Sequence, residues 1–241
     1  MSRRVVCAAA LLLLAPALLA LTPLERLEKA DRVRTDWEEA VITIRVTASR
    51  PGDAAASAKP ARFEVSVKGR DRTRIRFLEP GDEGKALVMN GADTWLIFPK
   101  AKPVKVPKSH RVTGGFAVSD VSRIRFAEDY DAVIERPDTL EGLDCDVFRL
   151  NARKGKSPSF PIVRLWVDRK ESLYRKAVFL LNSGRTAREV AFDAYREQGG
   201  RPVLAKMTIV DALRPGTTEV EYLSYEKRAL PDELFEVKPA G

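Results

Sequence analysis

The sequence has 241 residues, enough for one sizeable hydrophobic core, and its 42 Lys and Arg residues outnumber 34 Asp and Glu residues for a net charge of +8. The basic residues are interleaved with acidic ones and alternate with apolar residues, which argues against a nucleic-acid partner. The positive balance suits an anionic membrane surface or an acidic protein partner, and an unpartnered basic surface would have the same composition.

Residues 1–20 have the pattern of a secretory signal peptide. A charged start at Arg3-Arg4 precedes an apolar run over 5–14, and small residues near its end offer cleavage sites. The apolar run is too short for a good membrane-spanning helix. The paired arginines leave twin-arginine export open beside the general secretory route. We predict export to the periplasm and a single mature domain over 21–241.

Residue types that support catalysis or metal binding are scarce. Cys7 lies within the predicted signal peptide, so Cys145 is the only mature cysteine and cannot form an internal disulfide. His110 is the only histidine, so a Ser-His-Asp or Cys-His centre would have to use it, and no nucleophile-elbow pattern occurs. A histidine-based metal site would have one imidazole at most. We therefore predict a protein that is not an enzyme and has no cofactor.

A helix is predicted at the start of the mature region. Thr22 and Glu25 form a capping box, with Pro23 at the first helical position. A narrow apolar stripe then runs over roughly four turns, formed by Leu24, Leu27, Ala30 and Val33. The helix either packs on a sheet or covers a cavity.

The rest of the chain alternates apolar and polar residues with the period of two that is typical of half-buried strands. Asn90-Gly91 lies between the apolar runs 86–89 and 95–98, which predicts a hairpin whose two turn residues both have φ > 0. Tight turns such as Glu141-Gly142 separate the other runs, and no helical crossovers intervene. We therefore predict one antiparallel sheet of ten or eleven strands, which must curl and have its apolar concave side covered.

A basic segment follows the hairpin. Pro99 ends the second strand, and Lys100, Lys102 and Lys105 come next with Pro103 between them. The prolines keep this segment extended and outside a sheet interior, so we expect the lysines to be solvated. They are predicted to contact an anionic membrane or an acidic partner, and a solvated loop without a partner is the alternative.

The alternation breaks after the basic segment. Gly114-Gly115 precedes Phe116, and Ser119 fits the N-cap of a short helix on which Val121 and Ile124 share a face. This helix is either a fixed packing element or a movable lid, with Phe116, over the concave side of the sheet.

Seven short motifs occur in one order between Thr73 and Val237. They are Arg76-Phe77-Leu78-Glu79-Pro80, Asp93-Thr-Trp-Leu-Ile-Phe-Pro99, the pair Lys102 and Lys105, Leu140-Glu-Gly-Leu-Asp-Cys145, Leu165-Trp-Val-Asp168, Ala205-Lys-Met207 and Leu230-Pro-Asp-Glu-Leu-Phe235. In this order they resemble the outer-membrane lipoprotein-sorting proteins of LolA-like fold. The lid motif of that family is replaced here by Gly114-Gly-Phe-Ala-Val-Ser-Asp-Val-Ser122.

The resemblance implies an α+β fold that is mainly β, an incomplete and strongly curved antiparallel barrel covered by short helices. It implies a periplasmic carrier that binds acyl chains of lipoproteins or another lipid and shuttles them towards the outer membrane. An inner-membrane exporter and an outer-membrane acceptor would be its partners, and we expect a monomer. The alternative is an envelope sensory module of the same fold that recognises lipidated or misfolded proteins.

The predicted cavity is lined by the apolar face of each strand. Its lining residues are predicted to be Ile44, Val65, Ile75, Phe77, Trp95, Ile97, Phe148, Val163, Leu165, Phe179, Phe192 and Met207. The predicted lid residues are Phe116, Val121 and Ile124.

Overall fold

A computed structural model gives the fold of the chain. It describes residues 21–35, 38–52, 59–107, 110–113, 116–117, 125–156 and 158–237. The predicted signal peptide and the lid residues Val121 and Ile124 lie outside these ranges.

In the described residues, thirteen strands form one antiparallel sheet. The strands are β1 Glu39–Ser49, β2 Ala61–Lys68, β3 Arg72–Phe77, β4 Ala86–Asn90, β5 Asp93–Phe98, β6 Ala101–Val106, β9 Tyr130–Leu140, β10 Leu143–Ala152, β11 Ile162–Asp168, β12 Tyr174–Leu180, β13 Thr186–Glu197, β14 Pro202–Asp211 and β15 Gly216–Lys227. Their order across the sheet is β6-β5-β4-β3-β2-β1-β15-β14-β13-β12-β11-β10-β9. Two meanders build the sheet: the first strands run outward from β1 to the edge strand β6, and the later ones run back from the other edge until β15 pairs with β1.

The fold class predicted from the sequence is confirmed. The sheet is antiparallel and open, and its edge strands β6 and β9 do not pair with each other in the described residues. It has thirteen strands where ten or eleven were expected. Lys102 and Lys105 of the basic segment lie in edge strand β6, and Lys100 lies in the turn before it. Lys102 and Pro103 suit an edge because they discourage pairing with another chain.

The hairpin predicted at Asn90-Gly91 joins β4 to β5, with one difference from the predicted turn. Asn90 pairs with Asp93, so the turn residues are Gly91 and Ala92. Only Gly91 has a positive φ, of 60°. The prediction that Asn90 also has φ > 0 was wrong, because Asn90 extends the ladder by one residue and glycine takes the first turn position.

In the residues that the structure describes, a small second sheet and three helical segments complete the fold. Strands β7 (Arg111–Thr113) and β8 (Phe116–Ala117) pair with each other. Helix α1 is Pro23–Thr35, helix α2 is Phe126–Asp129, and a 3₁₀ helix covers Asp232–Phe235. The predicted capping box is confirmed at the start of α1, because the backbone N–H of Glu25 donates to Thr22 Oγ1 at 3.3 Å and the Thr22 N–H donates to Glu25 Oε2 at 2.7 Å.

One face of the sheet, which we call the interior face, carries the main hydrophobic core. Residues that pair across neighbouring strands continue this face from strand to strand. One row crosses β1 to β6 through Ile42, Val65, Ile75, Leu87, Leu96 and Val104. Another row crosses β15 to β9 through Thr218, Ile209, Val190, Ala177, Leu165, Phe148 and Ile134.

The outer face is covered over β1 to β4 by the C-terminal segment, residues 228–237. Leu230 and Phe235 are buried there against Val41 in a separate apolar cluster. Arg74 Nη1 donates to the carbonyl oxygen of Leu234 at 3.0 Å, which fixes the 3₁₀ helix on β3. The motif Leu230–Phe235 is therefore a structural cover for the outer face.

Candidate functional site

The interior face brings together most of the residues predicted to line a cavity. Phe77 packs against the core cluster and is partly buried. Nine others are buried members of that cluster: Ile44, Val65, Ile75, Phe148, Val163, Leu165, Phe179, Phe192 and Met207. These positions therefore share one continuous apolar surface, and their contact with a lipid stays a prediction.

Trp95 and Ile97 lie on the other face of β5. Trp95 pairs with Val88 and Ile97 pairs with Ala86, whereas the core residue Leu87 pairs with Leu96. Their assignment to the interior face was therefore wrong. The run from Trp95 to Phe98 is apolar at every position, so alternation alone did not distinguish the two faces. The interior residues of β5 are Thr94 and Leu96.

Helices α1 and α2 and the β7–β8 hairpin pack against the interior face, and we refer to these three elements as the cover. Leu27 and Ala30 of α1 and Ala127 of α2 are buried in the core cluster. Phe116, a predicted lid residue on β8, is also buried there, with its ring centroid 6.2 Å from that of Phe63 on β2. The cover and the sheet thus form one apolar core.

A buried carboxylate joins the two helices of the cover. Asp31 on α1 is 5% exposed, although it lies among apolar residues. Its carboxylate accepts the backbone N–H groups of Phe126 at 3.1 Å and Ala127 at 2.8 Å. The phenolic hydroxyl of Tyr174, on β12, also donates to it. The Asp31 carboxylate therefore holds α1, α2 and the sheet together by charge-assisted hydrogen bonds.

Asp31 was not predicted from the sequence, although a signal existed. It lies four residues after Leu27, on the face of α1 that is buried, where a carboxylate requires partners. The donors themselves were not predictable, because Tyr174 is 143 residues away.

Aromatic rings continue this junction into the core. The Phe126 ring meets that of Tyr174 edge-on at 5.5 Å and lies 6.4 Å from that of Phe179. Tyr130 donates its hydroxyl to the carbonyl oxygen of Phe160 at 2.8 Å, and burial raises the pKa of the Tyr130 phenol. Ring pairs of this kind stabilise a core beyond the apolar area that they bury, so Phe126 anchors α2 in addition to the Asp31 hydrogen bonds.

Ion pairs also attach the cover to the sheet. Arg26 on α1 pairs with the buried Asp146 on β10, which also binds Arg169 at 2.7 Å. Arg70, in the β2–β3 turn, pairs with Glu128 on α2 at 2.8 Å. The Arg70–Glu128 pair is exposed and contributes little to stability.

A charged cleft of about 670 Å³ lies beside the junction of α1 and α2. Cationic and anionic groups both line it, and Lys227 comes from the end of β15. The lining residues are Glu28, Asp31, Arg32, Glu38, Arg125, Ala127, Glu128 and Lys227. The cleft therefore presents charged groups next to the Asp31 junction, where the cover meets the apolar core.

A second group of charges lies on the interior face where β13 and β14 pair. Arg188 is buried, with its guanidinium carbon 5.5 Å from the centroid of the Phe179 ring and 5.9 Å from that of Phe160. Its cross-strand neighbour Asp211 pairs with Arg111 on β7. The Arg111–Asp211 pair attaches the β7–β8 hairpin to the sheet, so polar contacts attach this hairpin as well as the two helices of the cover.

The three lysines of the basic segment differ in their surroundings. All three side chains are exposed. Lys105 pairs with Asp93 at 2.7 Å, and its Nζ lies 5.8 Å from the centroid of the Trp95 ring on the outer face. Lys105 is therefore held against the sheet, and its expected contact with a membrane or partner stays a prediction, as do those of the other two.

Cys145 is fully buried on the outer side of β10, in a small cluster with Val147 and Trp166, and burial raises the pKa of its thiol. In the part of the chain that the structure describes, no group of His, Cys, Asp and Glu has the arrangement of a metal site. Among the same residues, no helix is both long and apolar enough to cross a membrane.

A family model described as an uncharacterized protein matches residues 69–238. The fold is similar to a LolA superfamily protein from Nitrosomonas europaea, with 27% identity and a TM-score of 0.79 over 90% of this chain and 98% of that one. No curated protein matches the sequence.

Two further solved structures share the fold at lower identity. A DUF1329 family protein from Desulfovibrio piger has 16% identity and a TM-score of 0.76 over 90% of this chain and 98% of its own. An outer membrane lipoprotein-sorting protein domain from Vibrio parahaemolyticus has 17% identity and a TM-score of 0.74 over 88% of this chain and 95% of its own.

Proposed function

This chain belongs to the LolA-like family, and we propose that it is a non-catalytic carrier that binds the acyl chains of lipoproteins or of another lipid. The observation that carries the proposal is the apolar interior face, which continues through rows of paired residues on both halves of the sheet. The cover closes this face through apolar packing in the core cluster and through the buried hydrogen bonds of Asp31.

A lipid carrier must keep a large apolar surface away from water. An acyl chain of ~14 methylenes left in water costs about 11 kcal/mol, at ~0.8 kcal/mol for each methylene. A protein that moves the chain through an aqueous compartment must bury that surface. An interior wall with side chains such as Leu165, Phe148 and Ile75, all buried, offers a surface of the required kind without any catalytic group.

Binding requires the cover to move. Phe126 and Leu27 fill space against the sheet within one core cluster, so an acyl chain takes the place of such contacts. The Asp31 hydrogen bonds to Phe126 and Ala127 must break when α2 moves away from α1. Handover to an acceptor requires that the bound form be only moderately more stable than the free form.

We place this cycle in the periplasm, between an inner-membrane donor and an outer-membrane acceptor. The signal-peptide pattern of residues 1–20 supports export. The name of the Vibrio parahaemolyticus relative, an outer membrane lipoprotein-sorting protein domain, supports lipoprotein cargo. The exposed Lys100 and Lys102 supply charge for contact with an anionic surface.

The test is to identify what the protein carries. The full chain is expressed with its own leader, purified from the envelope fraction without detergent, and extracted for lipid mass spectrometry. We expect acylated species in near-stoichiometric amount. A lipid-free protein that also fails to bind a fluorescent fatty acid would contradict the proposal, and saturable binding of a non-acylated envelope protein would favour a sensory module instead.

A further inference from the structure

Thr94 places a hydroxyl group in the apolar wall. It lies in the row of paired residues that crosses β1 to β6 through Ala40, Val67, Thr73, Met89, Thr94 and Val106. The residue is 1% exposed, and within the described part of the chain its Oγ1 atom has no hydrogen-bond partner. A buried hydroxyl without a partner destabilises a protein, and valine would fill the same space without that cost.

The row of Thr94 lies nearer than the row of Leu96 to the end of the sheet where α2 docks. The β4–β5 turn at Gly91 follows Met89 by two residues, and Gly91 N–H donates to the carbonyl oxygen of Asp71 in the adjacent β2–β3 turn. The same turn carries Arg70, which pairs with Glu128 of α2. From Thr94, the wall continues along β5 to Leu96, away from this end.

A lipid acyl group is polar at one end and apolar along the rest, as is the interior face from Thr94 to Leu96. Its carbonyl oxygen is at the head end, it accepts hydrogen bonds and donates none, and the apolar chain extends from it. A phosphate or carboxylate at the same position would be an unpaired charge next to Met89 and Val106, which is far more costly than a neutral carbonyl. The charged cleft beside α1 and α2 is a better place for a headgroup.

We propose that the Thr94 hydroxyl donates a hydrogen bond to the carbonyl oxygen of a bound acyl group, and so selects lipids with acyl linkages over those with alkyl ether linkages. This inference rests on the proposed function, since it assigns the polar part of the same site. The chain of the lipid then lies along Leu87 and Leu96, and its head faces the end of the sheet that α2 covers.

The experiment compares two soluble lipids that differ in this carbonyl alone, 1-palmitoyl-lysophosphatidylcholine and 1-O-hexadecyl-lysophosphatidylcholine. Each is titrated calorimetrically, below its critical micelle concentration, into the full mature protein. We expect the parent to bind the ester lipid roughly fivefold to tenfold more tightly, the size of one neutral hydrogen bond. Thr94→Val should abolish that preference, raise the Tm of the lipid-free protein, and leave affinity for the ether lipid nearly unchanged.

Two control variants make the result specific. Thr94→Ser keeps the hydroxyl and should keep the ester preference, whereas Thr73→Val removes a hydroxyl from the same row and should also leave the preference intact. Equal affinities of the parent for the two lipids, or a preference that survives in Thr94→Val or is lost in Thr73→Val, would overturn the assignment. A parent that binds neither lipid would instead overturn the proposed function, so the two failures are distinguishable.

Discussion

The carboxylate of Asp31 on α1 accepts the backbone N–H of Ala127 on α2 at 2.8 Å, inside the apolar core. This bond connects the two helices of the cover to each other, and the hydroxyl of Tyr174 connects the same carboxylate to the sheet. Asp31 therefore links the two helices of the cover to each other and to the sheet.

Asp31→Asn should loosen the cover. The neutral amide weakens the charge-assisted bonds and places an NH₂ group in a site built from donors, so we expect a loss of about 1–3 kcal/mol of stability. Release of a bound fluorescent fatty acid to vesicles should become several times faster. The measurements are chemical denaturation and stopped-flow transfer.

The control for this variant is Asp129→Asn, also in the cover. Asp129 pairs with Lys156 at 3.6 Å on the surface, and such a pair contributes only about 0–1 kcal/mol. Its stability and release rate should match the parent. If Asp31→Asn releases lipid no faster than Asp129→Asn, the cover does not limit release.

The interior face can be tested with two neighbouring residues on β12. Ala177 is buried in the row that includes Leu165 and Val190, whereas Val178 packs in the small cluster on the outer face. Ala177→Phe adds bulk where an acyl chain is proposed to lie, at a cost of about 1–3 kcal/mol from overpacking. We expect weaker binding of a fluorescent fatty acid to Ala177→Phe than to Val178→Phe, measured with variants whose circular dichroism is native. Equal affinities would place the lipid elsewhere.

The sequence predicted the interior wall well where the strands alternate clearly. Ile75 has charged neighbours on both sides, so its face was unambiguous. Trp95 and Ile97 were misplaced because the outer face is also apolar there, next to β4 strand residues that the 3₁₀ helix contacts. Asp31 shows a second limit, since its partners Ala127 and Tyr174 are 96 and 143 residues away along the chain.

Phe235 should contribute strongly to stability although it lies near the end of the chain. Its side chain is fully buried on the outer face, and the guanidinium of Arg72 lies 5.8 Å from its ring centroid. Phe235→Ala should destabilise the protein by about 3–5 kcal/mol because it leaves a cavity. The partly buried Leu234 is the control, and Leu234→Ala should cost clearly less. Denaturant titration measures both, and equal losses would contradict the packing described.

The attachment of the C-terminal segment should depend on pH. Glu39 accepts the backbone N–H of Leu230 at 2.6 Å, which lowers the pKa of this carboxyl below its ordinary value of 4.5. Asp232 pairs with Lys68 and Arg72, and these hydrogen bonds lower its pKa below 3.8. A lowered pKa in the folded state gives stability that is present above the ordinary pKa and is lost as the pH falls through the folded value.

Glu39→Gln tests this dependence. The difference in Tm between the parent and Glu39→Gln should be present at pH 7 and should shrink as the pH falls below 4.5. A difference in Tm that stays constant from pH 7 to pH 3 would show that Glu39 does not hold the segment.

Lys68 has the opposite pH dependence. The hydrogen bond to Asp232 raises the pKa of Lys68 above 10.5, so the contribution of Lys68 to stability is present below that pH and fades as the pH rises through the raised value.

The basic segment should act in delivery through two of its three lysines. Lys100 and Lys102 are exposed, and each charge near an anionic surface contributes about 1 kcal/mol. Lys105 is already paired with Asp93 and lies against Trp95, so it has less to gain from a membrane. We therefore expect the double variant Lys100→Gln, Lys102→Gln to slow transfer of a fluorescent lipid to vesicles containing phosphatidylglycerol, and to weaken the dependence of that rate on salt.

Lys105→Gln is the matched control for this delivery experiment. It removes the same type of charge from the same basic segment, yet it should slow transfer less than a change at Lys100 or Lys102, because Lys105 is already paired with Asp93. Thermal stability should stay nearly unchanged in all variants because exposed ion pairs contribute little. Neutral phosphatidylcholine vesicles should show no difference between variants and parent. If the double variant matches the parent on anionic vesicles at low ionic strength, Lys100 and Lys102 do not act in delivery. Charge at this edge of the sheet, together with Pro103, would then serve only to discourage pairing of β6 with another chain.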